Sequence, residues 1–156
     1  MYSPAQAKTV CQAIKIFHPE ILEKIKPKLV KPEPVLFHTI LLPALLKRFC
    51  ELKEITQASI VGIRYNAEAV EAKTLFVACI VTLFHPDLLP GIHAQALKPH
   101  LAEELSGLLE TDRTWVSQTV SKIKSILNPH KSLPAHEDFK NQSNRIARVL
   151  AIEFSK

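Results

Sequence analysis

Glycine is scarce in this sequence, with only 3 among 156 residues, whereas proline occurs 11 times. Hairpin-rich β folds use glycine where a turn requires a positive φ, and they need runs of alternating β-branched residues, of which this chain has few. Prolines at helix starts and in short connections are instead typical of helical proteins. The composition therefore favours an all-α fold.

Long apolar runs are also missing. The two longest are "PVLFHTILLPALL" (34–46) and "TLFVACIVTLF" (74–84), and both fall short of the ~20 residues that span a bilayer. Met1 is followed by polar residues rather than by the apolar segment of a secretory signal. We therefore expect both runs to lie in a core, and we expect a cytoplasmic protein with no membrane partner.

The three cysteines, Cys11, Cys50 and Cys79, are odd in number and far apart. Each lies in an apolar stretch, and their spacing is not that of a disulfide framework or a zinc site. We expect three buried, reduced thiols, which agrees with a cytoplasmic location.

Catalytic and metal-binding motifs are absent from the sequence. It contains no HExxH, GxGxxG, GxxxxGKS/T or GxSxG, and its seven histidines form no tight pair of metal-ligand spacing. We therefore expect a protein that is not an enzyme, with no catalytic residue, no metal and no cofactor. A catalytic site assembled from distant residues is the alternative that the sequence leaves open.

Positive charge is concentrated at the end of the chain. Residues 1–112 carry 12 basic and 12 acidic residues, whereas residues 113–156 carry 8 basic and 3 acidic residues, a net charge of +5. A basic segment of this kind is suited to a polyanion, of which nucleic acid is the first to consider.

Apolar residues recur at helical spacing along most of the chain, which predicts seven to nine helices. Asn66 is a suitable N-cap for a central helix whose second half is apolar all round. Residues 35–41 fit either a strand or a helix. The clearest predicted helices span 4–17, 19–26, 43–54, 67–84, 99–110, 112–127 and 136–154.

Two segments resemble each other without gaps, "VCQAIKIFHPEILEKI" (10–25) and "VACIVTLFHPDLLPGI" (77–92). Both contain Phe-His-Pro followed by an acid. This pattern predicts a helix that ends at the histidine and a new helix that begins with proline. We assign His18 and His85 to these turns, within a possible internal repeat.

Residues 101–127, "LAEELSGLLETDRTWVSQTVSKIKSIL", predict two helices joined by a short turn. Asp112 or Thr111 is placed to cap the second helix. Leucines line one stripe of the first helix, and aliphatic residues line one stripe of the second. The two stripes are formed by Leu101, Leu105, Leu108 and Leu109, and by Val116, Val120, Ile123 and Leu127.

This segment resembles the helix-turn-helix of DNA-binding proteins, in which Leu-Ala-x-x-Leu-Gly-x-Ser-x-x-x-Val-Ser is a frequent pattern. By this resemblance, Ser106 is the small residue where the helices cross, and Val116 is the branched core residue of the recognition helix. Glu110 replaces the usual turn glycine, and Thr111 replaces an apolar residue. The matched positions hold Leu105, Ser106, Leu109, Glu110, Asp112, Val116 and Ser117.

The opposite side of the second helix carries short, polar side chains and no acid, which suits a helix that enters the major groove. Its outermost residues include Ser125, while Trp115 lies at the edge of the inner stripe and is expected to pack against the helical body. We expect base-edge contacts from Arg113, Thr114, Ser117, Gln118 and Ser121. We expect phosphate contacts from Lys122, Lys124, Lys131, Arg145 and Arg148, the last two on the final helix.

Together these observations predict an all-α, multi-helix bundle with a helical body (1–95) and a C-terminal helix-turn-helix module (96–156). The expected function is sequence-specific binding of double-stranded DNA as a transcriptional regulator. A homodimer is a further expected partner, because the apolar side of the last helix suits either a dimer interface or a supporting role.

The alternative is a helical protein-interaction or dimerisation module that does not bind nucleic acid directly. An exposed apolar patch on residues 35–50 or 75–92 would favour it. RNA binding ranks lower, because aromatic residues make up only 6% of the chain.

Overall fold

The computed structural model describes residues 3–63, 65–90, 96–129 and 133–156. Within these ranges the protein forms eight α-helices and no β-strand, so the all-α prediction is confirmed. Short 3₁₀ turns precede α3, follow α5 and precede α8. The helices are α1 (Pro4–Phe17), α2 (Pro19–Leu29), α3 (Leu42–Lys53), α4 (Gln57–Ile60), α5 (Ala67–Phe84), α6 (Pro99–Leu108), α7 (Arg113–Ile126) and α8 (Glu137–Phe154).

Residues 1–31 form a first compact unit, a hairpin of α1 and α2. Ser3 and Gln6 form a reciprocal capping box at the start of α1. Neither helix contains a buried residue, and Phe17 and Val30 are among the most exposed apolar side chains of the unit. The hairpin therefore has no core of its own.

Residues 32–156 form the second compact unit, which is built around α5. Asn66 caps this helix by accepting a hydrogen bond from the Glu68 amide at 2.8 Å, as predicted. Residues 73–81 are buried without interruption, and α5 packs against α4, α7 and α8. At its centre the rings of Phe49 and Phe76 meet edge to face, with centroids 5.3 Å apart.

The division predicted at residue 95 falls inside this second unit. Helix α5 lies on one side of the predicted boundary and helices α7 and α8 on the other, and the structure packs all three together. Whether a body and a module fold separately stays a prediction.

The two Phe-His-Pro turns adopt almost the same backbone conformation. His18 has φ −142° and ψ 59°, and His85 has φ −148° and ψ 53°. Each imidazole lies 3.2 Å from the acid two residues later, Glu20 in the exposed turn and Asp87 in the buried one. The predicted helix ends are confirmed, although the second turn leads into a 3₁₀ segment and residues 91–92 of the repeat lie outside the described residues.

Two of the three cysteines are buried as predicted. Burial raises the pKa of the Cys50 thiol to about 11 and that of the Cys79 thiol to about 12, so both are protonated at neutral pH. The prediction for Cys11 is wrong, because its side chain is exposed on α1. The apolar residues around Cys11 indicated burial, but they belong to the α1–α2 hairpin, in which neither helix contains a buried residue.

Candidate nucleic-acid interface

Helices α6 and α7 form the predicted pair, joined by residues 109–112. The stripes that face the core are buried as expected except at Leu108, which is half-buried; Leu105, Val116 and Ile123 are fully excluded from solvent. Trp115 packs against this core at the edge of the stripe, and the Lys73 ammonium lies 5.1 Å from the centre of its ring. Because its inner side is fixed in this way, α7 presents its opposite side to solvent.

The turn between the helices has the geometry of a Schellman motif. The Thr111 amide donates to the Ser106 carbonyl at 3.0 Å, and the Glu110 amide donates to the Gly107 carbonyl at 3.2 Å. Glu110 has φ 48°, in the left-handed region. Glu110 occupies the position where the helix-turn-helix pattern has glycine. The turn therefore keeps its left-handed backbone conformation, although a residue with a side chain is sterically strained there.

Replacing this residue by glycine, Glu110→Gly, is expected to stabilise the protein by about 1 kcal/mol. Glycine adopts a positive φ without the steric cost that a side chain incurs. Urea unfolding followed by circular dichroism measures the change. The control is Glu104→Gly, at an exposed position inside α6, where glycine is expected to cost about 1 kcal/mol. Equal destabilisation by both variants would contradict the turn assignment.

Asp112 begins α7. Its Oδ1 accepts a hydrogen bond from the Trp115 amide at 2.7 Å, which selects Asp112 over Thr111 as the N-cap. A side chain at this cap fixes the first turn of α7, and with it the direction of the Arg113 and Thr114 side chains.

The solvent side of α7 carries the residues predicted to contact base edges. Thr114, Ser117, Gln118 and Ser121 are all exposed, and residues 113–126 contain no acid. These side chains are short or uncharged, so a partner can approach the helix closely. The arrangement matches the predicted face, while base contact itself stays a prediction.

Four of the predicted residues share one groove between α7 and the start of α6. Its volume is about 390 Å³. Its α7 wall contains two cations and two hydroxyls: Arg113, Lys124, Ser117 and Ser121. Its other wall includes Leu97 and Pro99, which are apolar. Hydroxyls between two cations provide donors for phosphate or base oxygens.

Arg113 is engaged by an acid that sequence reasoning did not identify. Its Nη1 lies 3.1 Å from Oε1 of Glu103 on α6, with both side chains more than half exposed. Glu103 is exposed on the solvent side of α6, and its sequence position alone does not show that it approaches Arg113 of α7. An exposed pair of this kind is weak, so it orients the guanidinium without withholding it from a phosphate.

The remaining predicted cations do not all lie together. Lys122 is exposed and lines a different cleft, with α5 and α8. Arg145 and Arg148 are exposed on α8, which packs against α5 and α3. Lys131 lies outside the described residues. Four of the candidate residues therefore line one groove. That the remaining cations contact the same DNA stays a prediction.

Lys73 is a second residue that the sequence did not reveal. It is 3% exposed within α5, and its ammonium donates to the Gly62 carbonyl while lying over Trp115. A lysine in an amphipathic helix is ordinarily placed at the surface. The tertiary approach of Trp115 and Gly62, which the sequence of α5 does not reveal, places partners around the buried ammonium.

No family model, curated protein or solved structure matches this chain. Among the helices that the structure describes, none combines the length and the apolar character needed to cross a bilayer.

Proposed function

We propose that this protein binds double-stranded DNA through the exposed side of α7 and acts as a transcriptional regulator. The observation that carries the proposal is the acid-free solvent side of a helix whose other side is fixed in the core by Val116, Val120 and Ile123. Exposed helices usually carry both acids and bases, whereas the phosphates around the major groove disfavour acids on a helix that lies there.

Base contacts come from the centre of this side. Gln118 carries an amide that can pair with the donor and acceptor of adenine, and Thr114 and Ser121 carry hydroxyls that both donate and accept. All three are exposed and spaced by three or four residues, so they lie along one line of α7. This line is long enough to meet successive base pairs.

Phosphate contacts come from the edge of the same side. Arg113 and Lys124 line the groove against α6, with Ser117 and Ser121 between them. A strand of the duplex that runs along this groove would place a phosphate near Lys124. Arg113, which is expected at a base edge, would exchange its exposed pair with Glu103 for a contact with the duplex.

Two substitutions on this side are expected to act differently. Gln118→Ala should reduce discrimination between base sequences by about 1–3 kcal/mol, because the amide contacts a base edge. Lys124→Ala should weaken binding to all sequences alike and make the salt dependence shallower by about one unit of log–log slope. Fluorescence anisotropy with a selected duplex and a scrambled duplex measures both effects.

The matched control for charge is Lys47→Ala, an exposed lysine on α3 that is outside the proposed interface. It should leave affinity and salt slope close to those of the parent protein. If Gln118→Ala and Lys124→Ala both left binding as it is, this side of α7 would not be the DNA-binding surface.

A protein-interaction module is the second candidate, because apolar side chains are exposed both in the segment 35–50 and on the α1–α2 hairpin. Phe37 and Ile40 are 70% and 84% exposed within the segment 35–50, and the α1–α2 hairpin exposes Phe17 at 73%. The other segment named for this function, 75–92, is buried throughout residues 75–81 and 83–88. Absence of DNA binding at low salt, together with self-association that Phe17→Ser abolishes, would favour this candidate.

A further inference from the structure

A second cavity lies on the other flank of α7, where this helix meets α5 and α8. Its volume is about 420 Å³, within the range of small-molecule sites. Val70, Ile126 and Phe139 form much of its apolar wall. Val70 and Phe139 are only half-buried, so their apolar surface is available to a ligand.

The ionisable side chains that line this cleft are few, and two of the three are basic. Lys122 of α7 and His136, which precedes α8, line it together with Glu71 of α5. Lys122 is exposed, so its aliphatic stem can cover the apolar wall while its ammonium stays at the opening. An apolar interior with a lysine at the opening is complementary to an acid on an apolar chain.

We propose that this cleft binds a small amphipathic carboxylate. The apolar chain lies against Val70, Ile126 and Phe139, and the carboxylate pairs with the Lys122 ammonium. A hydrogen bond between two charged groups is among the stronger polar contacts. The pair with Lys122 should therefore make the cleft prefer a carboxylate to an uncharged head group. Among the described lining residues, a cationic head group would have one acidic neighbour, Glu71, and it would face the Lys122 ammonium.

Titration with straight-chain probes tests the site directly. We expect octanoate to bind more tightly than octanol and octylamine, with affinity rising about fourfold for each methylene from hexanoate to octanoate, the effect of burying one CH₂ group. Amide NMR signals of residues 67–74 and 122–126 follow the titration and locate the ligand. The proposal would be overturned if octanoate bound no more tightly than octanol and octylamine, or if it shifted the amide signals of residues outside these two segments.

The key variant is Lys122→Gln, which removes the charge at an exposed position and leaves the apolar wall intact. It is expected to lower octanoate affinity about tenfold and to leave octanol affinity unchanged. Lys47→Gln, which removes an exposed lysine of α3, is the matched control and should bind octanoate as the parent does. Equal octanoate affinity in Lys122→Gln and the parent would overturn the role of Lys122.

A second variant, Val70→Phe, tests the apolar wall. The larger ring is expected to occupy the cleft and to abolish octanoate binding, while circular dichroism verifies that the helices remain. Full octanoate affinity in folded Val70→Phe protein would overturn the assignment of the cleft.

Occupancy of the cleft has a consequence that rests on the proposed function. Lys122 is also one of the predicted phosphate contacts, so a carboxylate bound to it is expected to lower affinity for duplex DNA. Octanoate binding is measured without DNA, so the two proposals fail separately. Octanoate that binds with no effect on DNA affinity would overturn this regulation alone, whereas absence of DNA binding would overturn the proposed function.

Discussion

Phe76→Ala is expected to destabilise the protein by about 4 kcal/mol, the largest stability effect among the substitutions considered. Phe76 is wholly excluded from solvent, and its ring meets that of Phe49 at 5.3 Å. The substitution removes buried apolar surface and leaves a cavity that the packed helices α3, α5 and α8 fill only in part. A lower urea midpoint with an unchanged m value measures the loss.

The control is Phe37→Ala, at a phenylalanine that is 70% exposed in the same compact unit. Its effect is expected to stay within about 0.5 kcal/mol, because little surface is buried there. A cost for Phe76→Ala as small as that of Phe37→Ala would show that α5 is not the centre of the core.

The double substitution Ser117→Asp and Ser121→Asp is expected to lower affinity for duplex DNA at least about 100-fold. Both serines are exposed on α7 and line the groove that contains Arg113 and Lys124. Two carboxylates there would oppose phosphates at close range, and like-charge contacts at an interface cost several kcal/mol. Anisotropy at low salt, where electrostatic effects are largest, measures the loss.

The same change in net charge at another exposed site controls for long-range repulsion. Gln57→Glu with Ser59→Asp adds two acids to α4, and both positions are exposed. We expect only a modest loss of affinity from this control. Equal losses in the two double variants would show that total charge, rather than the α7 side, governs binding.

Helix ends were predictable where a side chain makes the local contact that ends or begins a helix. The bounds of α1 and α5 are those predicted, because Ser3 and Asn66 cap their first turns and the Phe-His-Pro turns end them. Helix α2 continues through Pro27 to Leu29, beyond the predicted end at 26. Proline removes one amide donor, and this short exposed helix tolerates the loss near its end.

The place of the turn and the cap of α7 were predictable for the same reason, whereas the left-handed conformation of Glu110 was not, because the sequence has a side chain where the pattern has glycine. The turn at Glu110 and the cap at Asp112 depend on residues within five positions of each other. The contacts of Arg113 with Glu103 and of Lys73 with Trp115 were not predicted, since they join different helices. A helical wheel places a side chain on one side of its own helix and gives no information about what packs there.

The most direct test of the account is the affinity of the full chain for a random-sequence DNA duplex across a salt series. If α7 binds DNA as proposed, the protein binds at low salt, and log affinity falls linearly against log salt with a slope between about −2 and −5, as expected for a few lysine and arginine contacts to phosphate. Absence of binding at low salt, or an affinity that does not change with salt, would contradict it.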